Sequence, residues 1–329
     1  MNKVPISLII DDPAPVVSVY HEHARSRTTK DGRPLIPTFK NSMLLDFCDI
    51  IERRGIKGKF SVVPMPGNKG DIVNGLEGVD RAELDEWLDV VRTRVKGPFS
   101  IGPEVLSHHK AVDLATGLPL DEKENLWSFH QDRTTLTPYI ARAFSILKEA
   151  NLDPTGVTSP WDFGIEVEEE YANAISAAAY EVMGKELVWY FLRALKEEPN
   201  ARPWVALSKE GRTLVSIPAT TSDFIWRTID TTETSDEFVS SVADNLITAD
   251  GQSGDILRVL STGGYPILIT HWQSLMSNGL GTGLRVLDEV GRRIALHLHD
   301  RVEWMNFEEI MHLVASNPSA YPTPFEKFQ

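Results

Sequence analysis

Two carboxylates stand side by side at the end of an apolar run, Ile6-Ser7-Leu8-Ile9-Ile10-Asp11-Asp12-Pro13. Like charges so close destabilise a fold unless a cation or a set of donors compensates them. A buried strand ending on such a pair points to a site; the alternative is a capping or surface pair. A second set lies in Ile101-Gly102-Pro103-Glu104-Val105-Leu106-Ser107-His108-His109. There the spacing of four between Glu104 and His108 predicts that one helical turn, started at Pro103, aims both side chains the same way. Together, Asp12, Glu104 and His108 offer two carboxylates and an imidazole. That set suits zinc or another divalent first-row ion, with water in an open position. A Glu-x3-His spacing alone has little specificity, and its alternative is a solvated loop.

These side chains need strands to carry them. In parallel α/β folds ligands gather at the C-terminal ends of the strands. Apolar runs predict strands over 4–11, 59–63, 98–102, 155–159, 187–191, 266–270 and 301–305, with a hairpin of 204–207 and 214–217 turning at 209–211. Between them, 3.6-residue periodicity predicts helices over 42–54, 81–95, 137–150, 166–183, 235–249, 256–261, 283–295 and 307–315. Such alternation implies crossover connections and a mainly parallel sheet. Seven or eight strands in this order fit a closed or nearly closed (β/α) barrel better than an open sheet. With no repeat or linker to divide it, the chain reads as one domain over 1–329, with long loops at 68–80 and 113–132. The strand ends then deliver Asp11-Asp12, Glu104 with His108-His109, Pro160-Trp161-Asp162, and His271-Trp272.

Composition narrows the partners. Lys and Arg total 33 against 47 Asp and Glu, and the net charge of -14 repels nucleic acid and anionic membrane surfaces. No run reaches transmembrane length, and the apolar stretch after Met1 is too short for an export signal, so the expected location is cytoplasmic. The single Cys48 falls in step with Leu44, Leu45 and Ile51, the buried face of a helix. A small-molecule or carbohydrate substrate is the expected partner, and the oligomeric state is left open.

An apolar strand ending in Asp11-Asp12 is followed by a segment with Ser107-His108, then Ser159-Pro160-Trp161-Asp162-Phe163-Gly164, then Ile267-Leu268-Ile269-Thr270-His271. This order resembles the polysaccharide deacetylase family, or NodB homology domain, over most of the chain. The resemblance implies a distorted (β/α)7–8 barrel of the glycoside hydrolase/deacetylase type holding a divalent metal, zinc being the expected ion. It makes Asp11 the catalytic base, Asp12 the first metal ligand, His108 the second histidine of the family's metal motif, and His271 the acid that protonates the leaving group. Two departures stand out. Glu104 occupies the place of the family's first metal histidine, unless His109 serves in another register, and the segment at Ser159 lacks the arginine that orients the base. Asp223 and Trp226 weakly resemble an Asp and Trp pair of the family.

The activity implied is metal-dependent removal of an acyl group, acetyl in the first instance, from an amide nitrogen of a sugar or small polar substrate. One alternative is a metal-independent glycosidase, with Asp11 or Asp12 and Asp162 flanking a glycosidic bond. Another is a carbohydrate-binding protein that has lost its chemistry. Substrate contacts are expected from Trp161, Asp162, Trp272 and His23. Trp rings next to motif residues suit sugar faces, although most Trp serve the core. His23 lies in the loop after the first strand and is read as an extra ligand or a substrate contact, whereas His130, His297, His299 and His312 read as structural or surface residues.

Overall fold

The computed structural model describes residues 3–324; Met1 and Asn2, which enter the export-signal expectation, lie outside the described residues, as do 325–329. Its principal strands are β1 (Val4–Asp11), β2 (Gly58–Val62), β3 (Phe99–Pro103), β4 (Gly156–Thr158), β5 (Leu187–Phe191), β6 (Trp204–Lys209), β7 (Arg212–Ser216), β8 (Ile267–His271) and β9 (Val302–Trp304). Five of them form a parallel sheet in the order β8-β1-β2-β3, with β9 paired to the start of β1. The other four are ordered β6-β7-β5-β4, parallel except for the β6/β7 hairpin. Backbone bonds pass between the sheets at both sides: Thr155 N to Ile101 O (2.9 Å), Val105 N to Thr158 O (3.1 Å) and Thr220 N to Ile267 O (3.0 Å). The fold is thus mixed α/β with parallel sheets.

Burial explains why β1 is central. All its residues after Val4 are buried, so both of its faces are covered, and a run of Ile and Leu is stable there only as an inner parallel strand. One face packs in a cluster with Phe60 of β2 and with the helix residues Phe47, Trp87 and Leu287. The other contributes Ile9 to a second cluster with Trp189, Phe191, Val215, Ile217, Ile267 and, from the last helix (Phe307–Ser316), Phe307, Ile310 and Met311. Trp189 needs glycine neighbours: a Cβ at Gly156 would overlap its ring, and one at Gly102 would lie 2.7 Å from it.

Several expectations need correction. Residues 68–80 and 113–132 are not featureless loops. The first holds a hairpin of Gly70–Asp71 with Gly75–Leu76; the second holds the strand Pro119–Lys123, paired with Lys110–Val112 just before it, and a short helix Glu124–Ser128. The helix expected over 137–150 starts earlier, at Arg133, because Asp132 caps it by accepting from Thr135 N (3.1 Å). That expected over 235–249 spans only Asp236–Ala243. A helix at Val19–His23 and another at Trp272–Met276 had no periodic signal long enough to reveal them. Cys48 is buried in the helix Asn41–Arg54. Among the described residues no helix is long and apolar enough to cross a membrane.

Candidate active site

Strand alternation sorts β2 into two faces. Phe60 points to the helices, packing near Phe47, Trp87 and Trp272, while Lys59 and Ser61 point the other way. Lys59 is completely buried and its Nζ donates to Asp11 Oδ1, to Ser61 Oγ and to Thr158 Oγ1 (2.7 Å). It also lies 4.6 Å from the centre of the Phe191 ring. A lysine out of water is tolerable only when its charge is met, and here a carboxylate and two hydroxyls meet it. Asp11 thus has a cationic partner, supplied by β2 and not by the segment at Ser159. Ser159 faces the other way and donates to Tyr171 OH (3.0 Å), whereas Thr158, one residue earlier, faces Lys59. Sequence reasoning missed Lys59, although a lysine in a run otherwise suited to a buried strand was the available signal.

Asp12 lies just past the strand with φ of 63°, so its side chain leaves the alternation of β1. Its backbone N donates to Glu104 Oε2 (2.7 Å), and Gln273, a residue the sequence did not flag, donates from Nε2 to Asp12 Oδ2. Asp12 Oδ1 and Glu104 Oε1 approach His108 Nε2 at 2.7 and 3.3 Å. All three side chains are 4% exposed or less, and one donor atom of each lies within 4.8 Å of the others. The expected helical turn does not exist here. Glu104 continues the line of β3, opposite Thr158, and the chain then reverses through positive φ at Val105 (31°) and His108 (51°). Left-handed backbone at a β-branched and at an imidazole residue costs about 1–3 kcal/mol each, a cost that structures tolerate chiefly at functional sites. His109 takes another direction, with Nδ1 3.1 Å from Asn68 Oδ1, so His108 is the histidine in the cluster.

The electrostatics follow from this crowding. Burial alone would raise the Asp12 carboxyl, but the adjoining His108 outweighs it and holds the pKa well below the usual range. Burial, reinforced by Asp12 and Asp11, pushes Glu104 up to about 7. Burial would discharge His108, yet Asp12 and Glu104 keep it charged well above its ordinary range. The donors fit a cation. Asp12 Oδ1 is buried with no hydrogen-bond donor aligned on it, even though His108 Nε2 is close, and His108 Nδ1 is also without a partner among the described residues. Two carboxylates and an imidazole around an unsatisfied oxygen are a hard donor set with borderline nitrogen, suited to zinc and its neighbours.

On the β8 side, Asp11 pairs in register with His271. His271 Nδ1 donates to Asp223 Oδ2 (2.7 Å), and the Trp226 ring stands edge-on to it at 4.8 Å. Burial opposes a charge on His271. The bond to Asp223 and the field of Asp12 overcome it, and the pKa is pushed up to about 9. Across the cluster, His23 donates from Nε2 to the His108 carbonyl and stacks on the His108 ring at 4.5 Å. Burial and the neighbouring His108 lower its pKa to about 3, so it sits neutral. Trp161, with φ of 49° and 44% exposed, packs edge-on to His108 at 4.5 Å. Asp162 accepts from Asn125 Nδ2 (2.7 Å) and is held outside the acidic cluster. Trp272 is a correction to the expected substrate contacts. It is 2% exposed and lies between Phe47 and Phe60, each 5.5 Å away, because the helix it begins turns its ring into the core.

No family model matches this chain, and no curated protein does either. Among solved structures, it is similar to a crystal structure described as "putative polysaccharide deacetylase from Mycobacterium smegmatis", with 13% identity and a TM-score of 0.51. The likeness covers 83% of this chain and 77% of that one. At that identity it bears on the fold, an α/β arrangement with parallel strands.

Proposed function

We propose that this protein is a metal-dependent hydrolase that removes an acyl group, acetyl in the first instance, from an amide nitrogen of a sugar or small polar substrate. The observation that carries this reading is the buried convergence of Asp12, Glu104 and His108 beside two further pairs, Asp11 with Lys59 and His271 with Asp223. The name of the structural neighbour supports the same class. The two sheets are read as one distorted barrel of seven strands, β1, β2, β3, β4, β5, β7 and β8, within a single domain. The bonds of Val105, Thr155 and Thr220 between the sheets support this closure.

Asp12, Glu104 and His108 would hold the cation, zinc by its donor set. When bound, a divalent ion polarises an acyl carbonyl and acidifies a water. The rest belongs to the chain. Lys59 fixes Asp11 through Oδ1, so that Oδ2 is the oxygen that accepts a proton from the attacking water. The water oxygen bonds to the acyl carbon as the carbon–nitrogen bond breaks. His271, oriented and kept protonated by Asp223, donates from Nε2 to the departing nitrogen, and the products are a carboxylic acid and an amine. General acid and base steps of this kind contribute about 10²- to 10⁴-fold each. Trp161 and Trp226, both partly exposed, flank the cluster on the His108 and His271 sides and replace the expected Trp161 and Trp272 as ring platforms.

The test is release of acetate from N-acetylated sugars by the wild-type protein loaded with zinc, after chelation, and by Asp11→Asn. Activity lost on chelation and in the variant supports the reading. Glycosidic cleavage insensitive to chelator would replace it with the glycosidase alternative.

A further inference from the structure

From the end of β3 to the helix Arg133–Glu149 the chain makes an excursion of hairpin and short helix, far longer than a strand-to-helix connection requires. That helix, Glu124–Ser128, places a completely buried carboxylate against the turn that carries His108. Glu124 Oε1 accepts from Leu106 N (3.2 Å) and Ser107 N (2.9 Å), and Oε2 from His108 N (2.8 Å). Tyr139 OH donates to Oε1 as well (2.8 Å). Three successive N–H groups in a turn with left-handed residues form a concave nest for an anion, and here the chain fills it with its own carboxylate.

We propose that Glu124 is the positioning residue of the metal centre: it holds the strained turn at 105–108 so that the His108 imidazole is already aimed at Asp12 and Glu104 before a cation arrives. The proposal rests on the hydrolase reading above. Without the carboxylate, three buried N–H groups lose their partner, and the backbone at His108 relaxes from its left-handed conformation, carrying the ring away from Asp12. The same helix reaches the opposite wall. Asn125 donates to Asp162, and Ser128 Oγ accepts from Gly164 N (2.8 Å), which ties the turn to the loop whose Trp161 ring covers His108. Glu124 touches neither the candidate ligand atoms nor a substrate position, so its effect is on geometry.

Partners that orient a ligand in this way are worth about 10- to 100-fold in metal affinity. The experiment is calorimetric titration of Zn²⁺ into the chelator-treated full chain, as wild type and as Glu124→Gln, each with its thermal transition and its imidazole NMR signals. The expected result is a cooperative fold in Glu124→Gln, Zn²⁺ binding weakened about 10- to 100-fold, and a shifted His108 resonance with that of His271 unmoved. If Glu124→Gln does not fold, Glu124→Asp, which keeps the charge on a shorter arm, is read in the same way. Unchanged Zn²⁺ affinity in a folded variant overturns the role of Glu124 and leaves the hydrolase reading standing. Absence of Zn²⁺ binding by the wild type overturns the hydrolase reading, and this proposal with it.

Discussion

Lys59 and Asp11 are each other's compensation, and neither is stable alone. Removing one partner of a buried pair leaves an uncompensated charge and costs about 3–5 kcal/mol. Lys59→Met is therefore expected to lower unfolding free energy by about that amount in urea; a loss under 1 kcal/mol would mean that the pair is not formed. His271 gives a pH prediction. With its pKa raised to about 9 in the metal-free protein, the imidazolium persists through neutral pH and is lost as pH rises through 9, a titration that imidazole NMR signals of the chelated protein should show. Asp223→Asn replaces the charged acceptor by a neutral one and should move this titration to lower pH; a titration that stays in place would mean that Asp223 does not hold the imidazolium. At this scale the sequence was legible where a candidate residue ends an apolar run, as Asp11, Asp12 and His271 do. It was opaque where partners come from elsewhere in the chain. Nothing local links Lys59 to Asp11, Gln273 to Asp12 or Glu124 to residues 106–108, and Trp272 shows that a place after a strand does not fix which way a ring points.

The strands position the site through close packing, and the glycines on β3 and β4 are where that packing is least forgiving. Gly156→Ala drives a methyl into the Trp189 ring and should destabilise the fold by about 1–3 kcal/mol or more, measured by thermal unfolding. An unchanged melting temperature would contradict the packing described between these strands. Most strands and helices were readable, since burial on both faces leaves long apolar runs and amphipathic helices keep their period. The segments at 68–80 and 113–132 were not. Their hairpins are two to five residues per arm, and the helix that delivers Glu124 has five residues, too few to show a period. The turn at 104–108 was misread for a related reason: Pro103 ends β3 instead of starting a helix, and the spacing of four works through left-handed residues.

For the molecule as a whole, a cation held as proposed by Asp12, Glu104 and His108 would stabilise the fold as well as serve the reaction. A ligand that binds only the native state adds about 2.7 kcal/mol of stability at a hundredfold excess over its Kd. Zinc should accordingly raise the melting temperature of the chelated protein, and Asp12→Asn should abolish that rise while leaving a folded chain. Absence of any zinc-dependent shift would count against a metal inside this cluster. The net charge of -14 leaves local compensation to do the work, because the chain has no general excess of cations to neutralise buried carboxylates.

The most direct measurement is anomalous diffraction from crystals of the zinc-loaded protein. The expected result is a peak bounded by Asp12, Glu104 and His108, with ligand bonds of about 2.0–2.2 Å. Crystals that hold zinc only elsewhere, with His108 still ion-paired between the two carboxylates, would contradict this.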